Sequence, residues 1–387
     1  MPHTLGAEDR ALRAVFRDFA RRQVLPGAAE RDASGTYPAD LMRGLAALDA
    51  MGLTVPPEFG GLGLKTTSQL LAVEEIAYAD AALASIYTAH LLALDVLTLY
   101  GDAAQQADAL PRLARGEAVG AFALTEPDAG SDIGSMTTTA VRQGDGWELT
   151  GTKTFISNAR EAGVLMVFAR SEPKAGFRGI SAFVVPGDAA GLAFSPPQDK
   201  CGIRSAPTYT VYLDRVPVPA SALVGEVGQG GKMALTVLNR ARIDVAAMAN
   251  GIAMRALDLA MRFASQREAF GSRIRTFQAI QIMLGEMDAQ LEVARLAAHW
   301  AATLRDEGGD VRRAGAIAKY VASENCFAVV DKAIQIHGGA GFMRESEIER
   351  LYRDSRILRI FEGTSQIQLL TIAGSLVDRF DADGSGA

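Results

Sequence analysis

The sequence contains very little cysteine. Its only two cysteines, Cys201 and Cys326, lie far apart, and neither has histidine or cysteine neighbours at the spacing of metal ligands. The sequence therefore suggests neither a disulfide framework nor a zinc site. Because such cysteine usage is typical of a reducing compartment, we expect a cytoplasmic protein without a metal centre.

Positive charge and long apolar runs are also scarce. The net charge is −6, so the chain has no excess of basic residues with which to hold nucleic acid or an anionic membrane. No run of about 18 apolar residues occurs, and residues 1–10 lack the basic segment and apolar core of a signal peptide. We therefore expect no nucleic-acid partner, no membrane insertion and no export.

Proline is absent after Pro219. In that part of the chain, recurring apolar residues predict four long helices, which short connections would pack into an antiparallel bundle. The four predicted helices cover residues 233–264, 277–304, 314–336 and 345–356, and a further helix is predicted over residues 366–377. The first third of the chain is also predicted to be mostly helical, with its clearest helices over residues 66–79 and 81–100.

Between these helical regions the pattern changes to short β-prone runs separated by Gly, Pro and Asp. The runs cover residues 121–124, 137–141, 147–149, 153–156, 164–169, 180–185 and 208–213. No helical pattern intervenes, which argues against a parallel nucleotide-binding sheet. The predicted fold class is α+β with three domains: an N-terminal helical domain (1–120), a small β-barrel or sandwich (121–230) and a C-terminal four-helix bundle (231–387).

Two stretches of the predicted β region stand outside ordinary core patterning. In FALTEPDAGSD (122–132), the hydroxyl groups of Thr125 and Ser131 and the backbone N–H groups could approach a flat polar ligand, although an ordinary entry turn explains the stretch equally well. In KTFISN (153–158), Phe155 and Ser157 alternate along a strand and so share one face. A half-buried sheet face explains that pattern as well.

Two further stretches lie at the ends of predicted helices. In QREAFG (266–271), Arg267 either favours the negative end of a helix or holds a phosphate group. In QIHGGAGF (335–342), a glycine turn offers N–H groups to an anion. Neither stretch has the Walker pattern, and the glycine-rich residues 225–231 lack the strand and helix order of a dinucleotide site.

Glu362 is an acid in apolar surroundings. It follows Ile360 and Phe361, and precedes Gly363 and the start of a predicted helix. A carboxylate kept away from water has a raised pKa and can act as a general base near neutral pH. The simpler alternative is that Glu362 favours the positive end of the following helix.

The order of the motifs is more informative than any single one. FALTEPDAGSD, KTFISN, RID (242–244), QREAFG, QIHGGAGF, YRD (352–354) and IFEGTSQIQ (360–368) follow one another along the chain. This series resembles the acyl-CoA dehydrogenase family of flavoproteins over essentially the whole sequence. The resemblance implies a bound FAD between the β domain and the helical bundle, in a homotetramer built as a dimer of dimers.

The resemblance also implies which residues contact FAD. Arg267, Gln278 and the loop from Gln335 to Gly339 would reach the FAD of a neighbouring subunit. The family usually has Trp at the position of Phe155, which keeps the aromatic plane but lacks the indole N–H. The implied FAD contacts are Phe122, Leu124, Thr125, Gly130, Ser131, Phe155, Ile156, Ser157, Arg267, Phe270, Gln278, Gln335, Gly338, Gly339, Thr364, Ser365 and Gln366.

The catalytic base that the resemblance implies is Glu362. Some branches of the family place this glutamate at the position of Ala241, which cannot accept a proton. The implied substrate-binding residues are Ser131, Asn239, Arg242 and Gly363, and Asn239 stands where Asp is common.

The reaction that the resemblance implies converts an acyl-CoA thioester to the trans-2-enoyl-CoA and passes the electrons to an electron-transferring flavoprotein. The alternatives are a related oxidase, a monooxygenase, a dehydrogenase of carrier-protein thioesters, or a helical scaffold that has lost catalysis. The presence of Glu362 favours α,β-desaturation among them.

Overall fold

A computed structural model describes residues 5–382 of the chain. The N-terminal region is helical, as predicted. Its helices are α1 (Ala7–Phe19), α2 (Ala28–Ser34), α3 (Ala39–Ala47), α4 (Thr66–Ala79), α5 (Ala81–Tyr100) and α6 (Ala103–Ala114). The bounds of α4 and α5 are those predicted, because Asp80 separates them and accepts hydrogen bonds from the N–H groups of Ala82 (2.9 Å) and Leu83 (3.4 Å).

Helix α5 is almost entirely apolar. On length and composition alone it is the one helix within residues 5–382 that could cross a membrane. Most of α5 is buried inside the protein, however, and its side chains belong to the main hydrophobic core. Its composition is therefore that of a central core helix.

The middle region forms one eight-stranded sheet. Its strands are β1 (Gly120–Ala123), β2 (Thr139–Gln143), β3 (Gly146–Ser157), β4 (Val164–Arg170), β5 (Ile180–Pro186), β6 (Leu192–Phe194), β7 (Thr208–Pro219) and β8 (Leu223–Val224). The order is β6-β7-β3-β2-β4-β5-β8, and β1 lies beside β4. Most neighbours are antiparallel, but β4 is parallel to both β1 and β2, so the sheet is mixed.

Two of the predicted strands are in fact one. Residues 147–149 and 153–156 both lie in β3, and Gly151 does not end the strand as its type suggested. The register of β3 against β7 shifts between Leu149 and Gly151, and a Cβ atom at Gly151 would lie 2.5 Å from Oγ1 of Thr138. Gly151 therefore permits a close approach inside a bulged strand.

The C-terminal region contains helices α7 (Gly230–Gln266), α8 (Gln278–Asp306), α9 (Arg312–His337), α10 (Glu347–Ser355) and α11 (Ser365–Ala382). The helix predicted over residues 345–356 is present as α10, but with nine residues it is too short to be the fourth long helix of the bundle. The fourth long helix is α11, which extends beyond the predicted residues 366–377. Both helical regions share one hydrophobic core, while the sheet has a second core of its own.

Glycines bring the helices of the shared core close together. A Cβ atom at Gly251 of α7 would lie 2.3 Å from the carbonyl oxygen of Glu74 in α4, and one at Gly315 of α9 would lie 2.6 Å from that of Asn239 in α7. Any larger residue at either position would force the helices apart. These contacts hold α7 between α4 and α9, at the centre of the molecule.

Candidate functional site

Glu362 lies in a sharp turn immediately before α11. Its φ is +52°, and φ of the following Gly363 is +92°, so two consecutive residues have left-handed backbone conformations. Glycine adopts this region freely, but a glutamate rarely does. Backbone strain of this kind persists where the surrounding structure enforces it, and it is common at functional sites.

Buried donors from two helices hold this turn. Nζ of Lys319 in α9 donates a hydrogen bond to the carbonyl oxygen of Gly363 at 2.6 Å. Nε2 of Gln368 in α11 donates to the same oxygen at 2.8 Å and to that of Glu362 at 3.3 Å. Lys319 and Gln368 are both fully buried. The turn that contains Glu362 is therefore anchored to both α9 and α11, which limits the directions that the carboxyl group of Glu362 can take.

The carboxyl group of Glu362 is held away from water. Although the residue as a whole is partly exposed, its Oε2 atom is buried and has no hydrogen-bond partner within residues 5–382. Burial is the main cause that raises the pKa of Glu362, to about 8, and the negative charge of Asp244 raises it further. The positive charges of Lys319 and Arg242 act in the opposite direction. The group is thus a proton acceptor adjusted to neutral pH.

Arg242 on α7 supplies the nearest guanidinium group. A Cβ atom added to Gly363 would lie 3.6 Å from Nη2 of Arg242. Nη1 donates a hydrogen bond to Oδ1 of Asn239 at 2.6 Å, while Nε is buried without a partner in the described part of the chain. Burial lowers the pKa of Arg242 to about 10, against the raising effect of Glu362. The structure thus brings together Asn239, Arg242, Glu362 and Gly363, and the side chain of Asn239 supports Arg242.

A buried ion pair joins the two motifs of the β domain. Nζ of Lys153 donates hydrogen bonds to Oε1 of Glu126 (2.8 Å) and to the carbonyl oxygen of Leu124 (3.1 Å). Glu126 also accepts from the N–H groups of Thr137 (2.7 Å) and Thr138 (3.0 Å). Burial raises the pKa of Glu126, but Lys153 and the hydrogen bonds outweigh burial and lower it to about 2. The pair fastens the FALTEPDAGSD loop to β3.

Phe155 is an exposed aromatic residue at a bulge. The register of β3 shifts between Lys153 and Ile156, and Phe155 has φ of +59° and is 65% exposed. The predicted strict alternation is therefore interrupted. Phe155 and Ser157 are nevertheless both more exposed than Ile156, which is buried. The ring of Phe155 presents an open aromatic face beside a hydroxyl group.

The other predicted FAD contacts of the β domain differ in which of their groups are exposed. The ring of Phe122 packs on Phe168, with 4.8 Å between centroids, and the residue is partly exposed. The side chain of Leu124 is buried. Thr125 is partly exposed and its carbonyl oxygen accepts from the N–H of Thr154 at 2.9 Å. Gly130 and Ser131 lie in an exposed loop, and a Cβ atom at Gly130 would meet nothing within 4 Å.

A second group of predicted residues lies exposed at one end of the helical bundle. Its members are Arg267, Phe270, Gln278, Gln335, Gly338 and Gly339. Phe270 is 98% exposed, and Cβ atoms at Gly338 and Gly339 would meet nothing within 4 Å. The ring of Phe263 near the end of α7 lies 4.5 Å from that of His337 at the end of α9, which places both motifs at the same end of the bundle.

The start of α11 contains the last predicted contacts. Oγ1 of Thr364 accepts a hydrogen bond from the N–H of Ile367 at 3.3 Å, so Thr364 caps the helix. Ser365 is buried and its hydroxyl group donates to Oε1 of Glu324 at 2.5 Å. Gln366 is exposed. Of the three, Gln366 has the side chain most available to a ligand.

Sequence reasoning did not identify four residues of this architecture. Asp244 lies inside the RID motif and Gln368 inside the IFEGTSQIQ motif, so the motifs themselves are the signal that could have identified them. Lys153 begins the KTFISN motif. Because a lysine is rarely buried without an ion-pair partner, its place in an apolar strand indicates a buried ion pair. Lys319 lies in no motif, and its only signal is a cation within the apolar stripe of a helix.

The buried acid makes the stability of the protein depend on pH. Because the pKa of Glu362 is higher in the folded state, about 8 against 4.5, the folded state binds more protons, and stability falls as pH rises between these values. We expect Glu362→Gln to stabilise the protein by about 1–3 kcal/mol at pH 9 and by much less at pH 5. Urea unfolding of both proteins at matched flavin content measures this, and a pH-independent difference would contradict it.

Comparison with known proteins agrees with this architecture. The N-terminal, middle and C-terminal domains of acyl-CoA dehydrogenases match residues 6–117, 121–216 and 228–377. Within residues 5–382, no group of three or more His, Cys, Asp or Glu side chains is arranged to hold a metal ion.

Three similar proteins illustrate the relationship. Acryloyl-CoA reductase (NADH) of Anaerotignum propionicum is 39% identical over 98% of this chain and 97% of its own length. The structure of butyryl-CoA dehydrogenase from Megasphaera elsdenii is 35% identical, with a TM-score of 0.95 over 97% of this chain and 100% of that chain. A structure described as an electron transferring flavoprotein of Acidaminococcus fermentans has the same identity and TM-score, over 97% and 99%. This chain belongs to the acyl-CoA dehydrogenase family.

Proposed function

We propose that the protein binds FAD and desaturates an acyl-CoA thioester between its α and β carbons, to give the trans-2-enoyl-CoA. The observation that carries this proposal is the carboxyl group of Glu362. It lies in a strained turn, its Oε2 atom is buried without a partner in the described chain, and its pKa is raised to about 8. These are properties of a general base.

The residues present fit a flavin. The exposed ring of Phe155 lies beside Ser157, and the loop with Thr125, Gly130 and Ser131 is open to a ligand. Polar groups of this kind orient a flat cofactor, while an aromatic face stacks on it. When bound, FAD supplies the acceptor for the hydride that leaves the β carbon. Leu124 and Ile156 would contribute backbone groups, since their side chains are buried, whereas Phe122 is partly exposed.

The protein itself supplies proton transfer and orientation. Glu362 takes the α-proton of the thioester, and its apolar surroundings make it basic enough to do so. Its backbone N–H has no acceptor among the backbone groups of residues 5–382, so this N–H is available to the thioester oxygen, where charge develops. The positive charges of Arg242 and Lys319 oppose the effect of burial and so keep the pKa of Glu362 from rising further.

The proposed FAD site includes residues of a neighbouring subunit. Large apolar side chains are exposed along α8 and α11 in the single chain, and such surfaces mark interfaces between proteins. They are Ile282, Val293, Leu296, Trp300, Leu369, Leu370, Leu376, Val377 and Phe380. A cytoplasmic homotetramer would cover them and bring the exposed residues Arg267, Gln278 and Gln335 to the FAD of a neighbour. The electrons would pass to an electron-transferring flavoprotein.

Replacement of Arg267 tests whether the FAD site is shared between subunits. Arg267 is exposed and has no ion-pair partner within the described residues, so its removal from the single chain should cost little stability. Loss of a cation from a phosphate contact, in contrast, weakens binding. We expect Arg267→Ala to lower FAD retention after gel filtration roughly tenfold, measured as the ratio of flavin to protein absorbance. Arg262→Ala, which removes an exposed arginine near the end of α7, is the control. Equal retention in both variants would count against the shared site.

A panel of straight, branched and aromatic acyl-CoA thioesters tests the reaction. The purified protein should be yellow, and at least one thioester should bleach its flavin under anaerobic conditions without rapid reoxidation by air. Rapid reoxidation would identify an oxidase, and a colourless protein would identify a scaffold without catalysis. A thioester reactive only on a carrier protein would change the substrate class and leave the role of Glu362 intact.

One relative favours a second candidate, the reverse reaction. The 39% identical protein of Anaerotignum propionicum is named a reductase, and the carboxyl group that accepts an α-proton in one direction donates it in the other. Anaerobic incubation with NADH and an enoyl-CoA distinguishes the two. Saturation of the enoyl-CoA with NADH would assign the reductive direction to this protein, whereas bleaching by the saturated thioester alone assigns desaturation.

A further inference from the structure

A buried lysine contacts the turn before α11 and has no acidic partner. Lys319 on α9 is fully buried. Within residues 5–382, the lysine side chains that form ion pairs are those of Lys153 and Lys332, so the ammonium group of Lys319 has no carboxylate beside it. Burial of a charge without a counter-charge costs free energy, whereas a methionine would fill similar space without that cost. A lysine at this position therefore calls for a functional reason.

The packing of α9 places Lys319 beside the catalytic turn. Gly315 lies one turn earlier on the same face of α9, and a Cβ atom there would lie 2.6 Å from the carbonyl oxygen of Asn239 and 3.6 Å from Cβ of Arg242. Nζ of Lys319 lies 2.6 Å from the carbonyl oxygen of Gly363, to which it donates. Gly363 in turn lies close to Nη2 of Arg242. This face of α9 thus contacts both α7 and the turn.

The other contacts of this segment leave a distinct role for Lys319. Gln368 donates to the same carbonyl oxygen at 2.8 Å, but it belongs to α11, the helix that directly follows the turn in the chain. Glu324 on α9 accepts hydrogen bonds from Nε of Arg359 at 2.9 Å and from the hydroxyl group of Ser365 at 2.5 Å. These two residues lie before and after the turn. The hydrogen bond from Lys319 therefore attaches the turn itself to α9.

We propose that Lys319 is a positioning residue for Glu362, whose ammonium group holds the turn at the carbonyl oxygen of Gly363 and so sets the direction of the catalytic carboxyl group. The inference rests on the proposed function of Glu362 and deepens it. The left-handed conformations of Glu362 and Gly363 persist only where the surrounding structure enforces them, and a charged donor holds a carbonyl oxygen more strongly than a neutral one. Lys319 itself neither gives nor takes a proton in the reaction.

The charge state of Lys319 agrees with this role. Burial is the main cause that lowers the pKa of Lys319, to about 8, and the positive charge of Arg242 also lowers it. The negative charges of Glu362 and Glu324 act in the opposite direction. At pH 7 the side chain is therefore mostly an ammonium group, and its hydrogen bond to Gly363 is charge-assisted.

Replacement of Lys319 by methionine in the flavin-loaded protein tests the inference. We expect bound flavin to stay at the wild-type level and the maximal rate of flavin reduction by a reactive acyl-CoA to fall about 100-fold, because proton transfer depends steeply on the position of the base. The thioester concentration that gives half the maximal rate should change much less. Deuterium at the α carbon should slow the variant at least as much as the wild type. Loss of bound flavin with a wild-type rate per remaining flavin would assign Lys319 a merely structural role and overturn the proposal.

Crystal structures of the wild-type protein and of Lys319→Met test the inference without turnover. In the variant, the carboxyl group of Glu362 should move or occupy several positions. A carboxyl group in the same single position would overturn the proposal. If no acyl-CoA reduces the flavin of the wild-type protein, the proposed reaction is refuted, while a displaced carboxyl group in the variant would still support the positioning role of Lys319.

Lys332→Met is the matched control on the same helix. Nζ of Lys332 lies 3.6 Å from Oε2 of Glu286 and 3.4 Å from Oε1 of Gln290, both on α8, and Lys332 is roughly 20 Å further along α9 than Lys319. Its variant should reduce flavin at the wild-type rate per bound flavin. Lys319→Gln, which removes the charge and shortens the side chain, replaces Lys319→Met if that variant does not fold. The same loss of rate and the same displacement of Glu362 are expected from it.

Discussion

Replacement of Glu362 by glutamine is expected to leave FAD bound and to slow flavin reduction by an acyl-CoA thioester about 10³-fold or more. Glutamine has nearly the same shape, so the turn held by Lys319 and Gln368 should persist. It cannot accept a proton, however, and no second carboxyl group replaces it because Ala241 occupies the alternative position. Stopped-flow absorbance of the flavin band under anaerobic conditions measures the effect.

Glu161→Gln is the control for this prediction. Glu161 also has a buried oxygen atom without a partner in the described chain, and its other oxygen accepts a hydrogen bond from the hydroxyl group of Tyr209 at 2.6 Å. It is thus an acid of similar environment in the β domain. Its variant should reduce flavin at close to the wild-type rate. If Glu362→Gln keeps a tenth of the wild-type rate, Glu362 is not the base.

The second large effect is expected at Lys153. Replacement by methionine should lower the free energy of unfolding by about 3–5 kcal/mol, because Glu126 would remain as a buried, unpaired carboxylate. Both members of the pair are almost fully buried and lie 2.8 Å apart. The loop with Thr125 should loosen as well, so we expect weaker FAD retention. Urea denaturation monitored by circular dichroism measures the loss of stability.

The double variant Lys153→Met, Glu126→Gln separates charge from packing. Without the carboxylate, the cost of an unpaired charge disappears, and the double variant should recover a substantial part of the lost stability. Glutamine still accepts hydrogen bonds from the N–H groups of Thr137 and Thr138. A double variant that is less stable than Lys153→Met alone would show that the hydrogen bonds to Glu126, not the ion pair, dominate.

The elements that local chemistry determines were predictable from the sequence. The bounds of α4 and α5 agreed because a capping aspartate, Asp80, separates two helices of strong apolar character. The error at β3 arose because glycine usually ends a strand, whereas Gly151 is needed for its close approach to Thr138. The helix predicted over residues 345–356 agrees with α10 within two residues at each end, but periodicity alone did not show that α11 is the fourth long helix of the bundle.

The candidate site was predictable only in its motif residues. Glu362 and Arg242 stand in motifs that order and spacing identify. Lys319 and Gln368 became evident only when folding brought α9 and α11 to the turn at Gly363, since Lys319 is 44 residues away in sequence. The same holds for Asp244, whose hydrogen-bond partner Gln69 lies 175 residues away in sequence. Contacts of this range depend on tertiary packing, which sequence periodicity does not encode.

The measurement that tests the account most directly is anaerobic flavin reduction with thioesters that carry deuterium at the α carbon. If Glu362 removes the α-proton as the flavin is reduced, deuterium should slow bleaching in the wild-type protein, and the slowing should accompany formation of the trans-2-enoyl-CoA. Two results would contradict the account. One is flavin bleaching at the same rate with the deuterated and the unlabelled thioester when the other steps are fast. The other is rapid bleaching in Glu362→Gln.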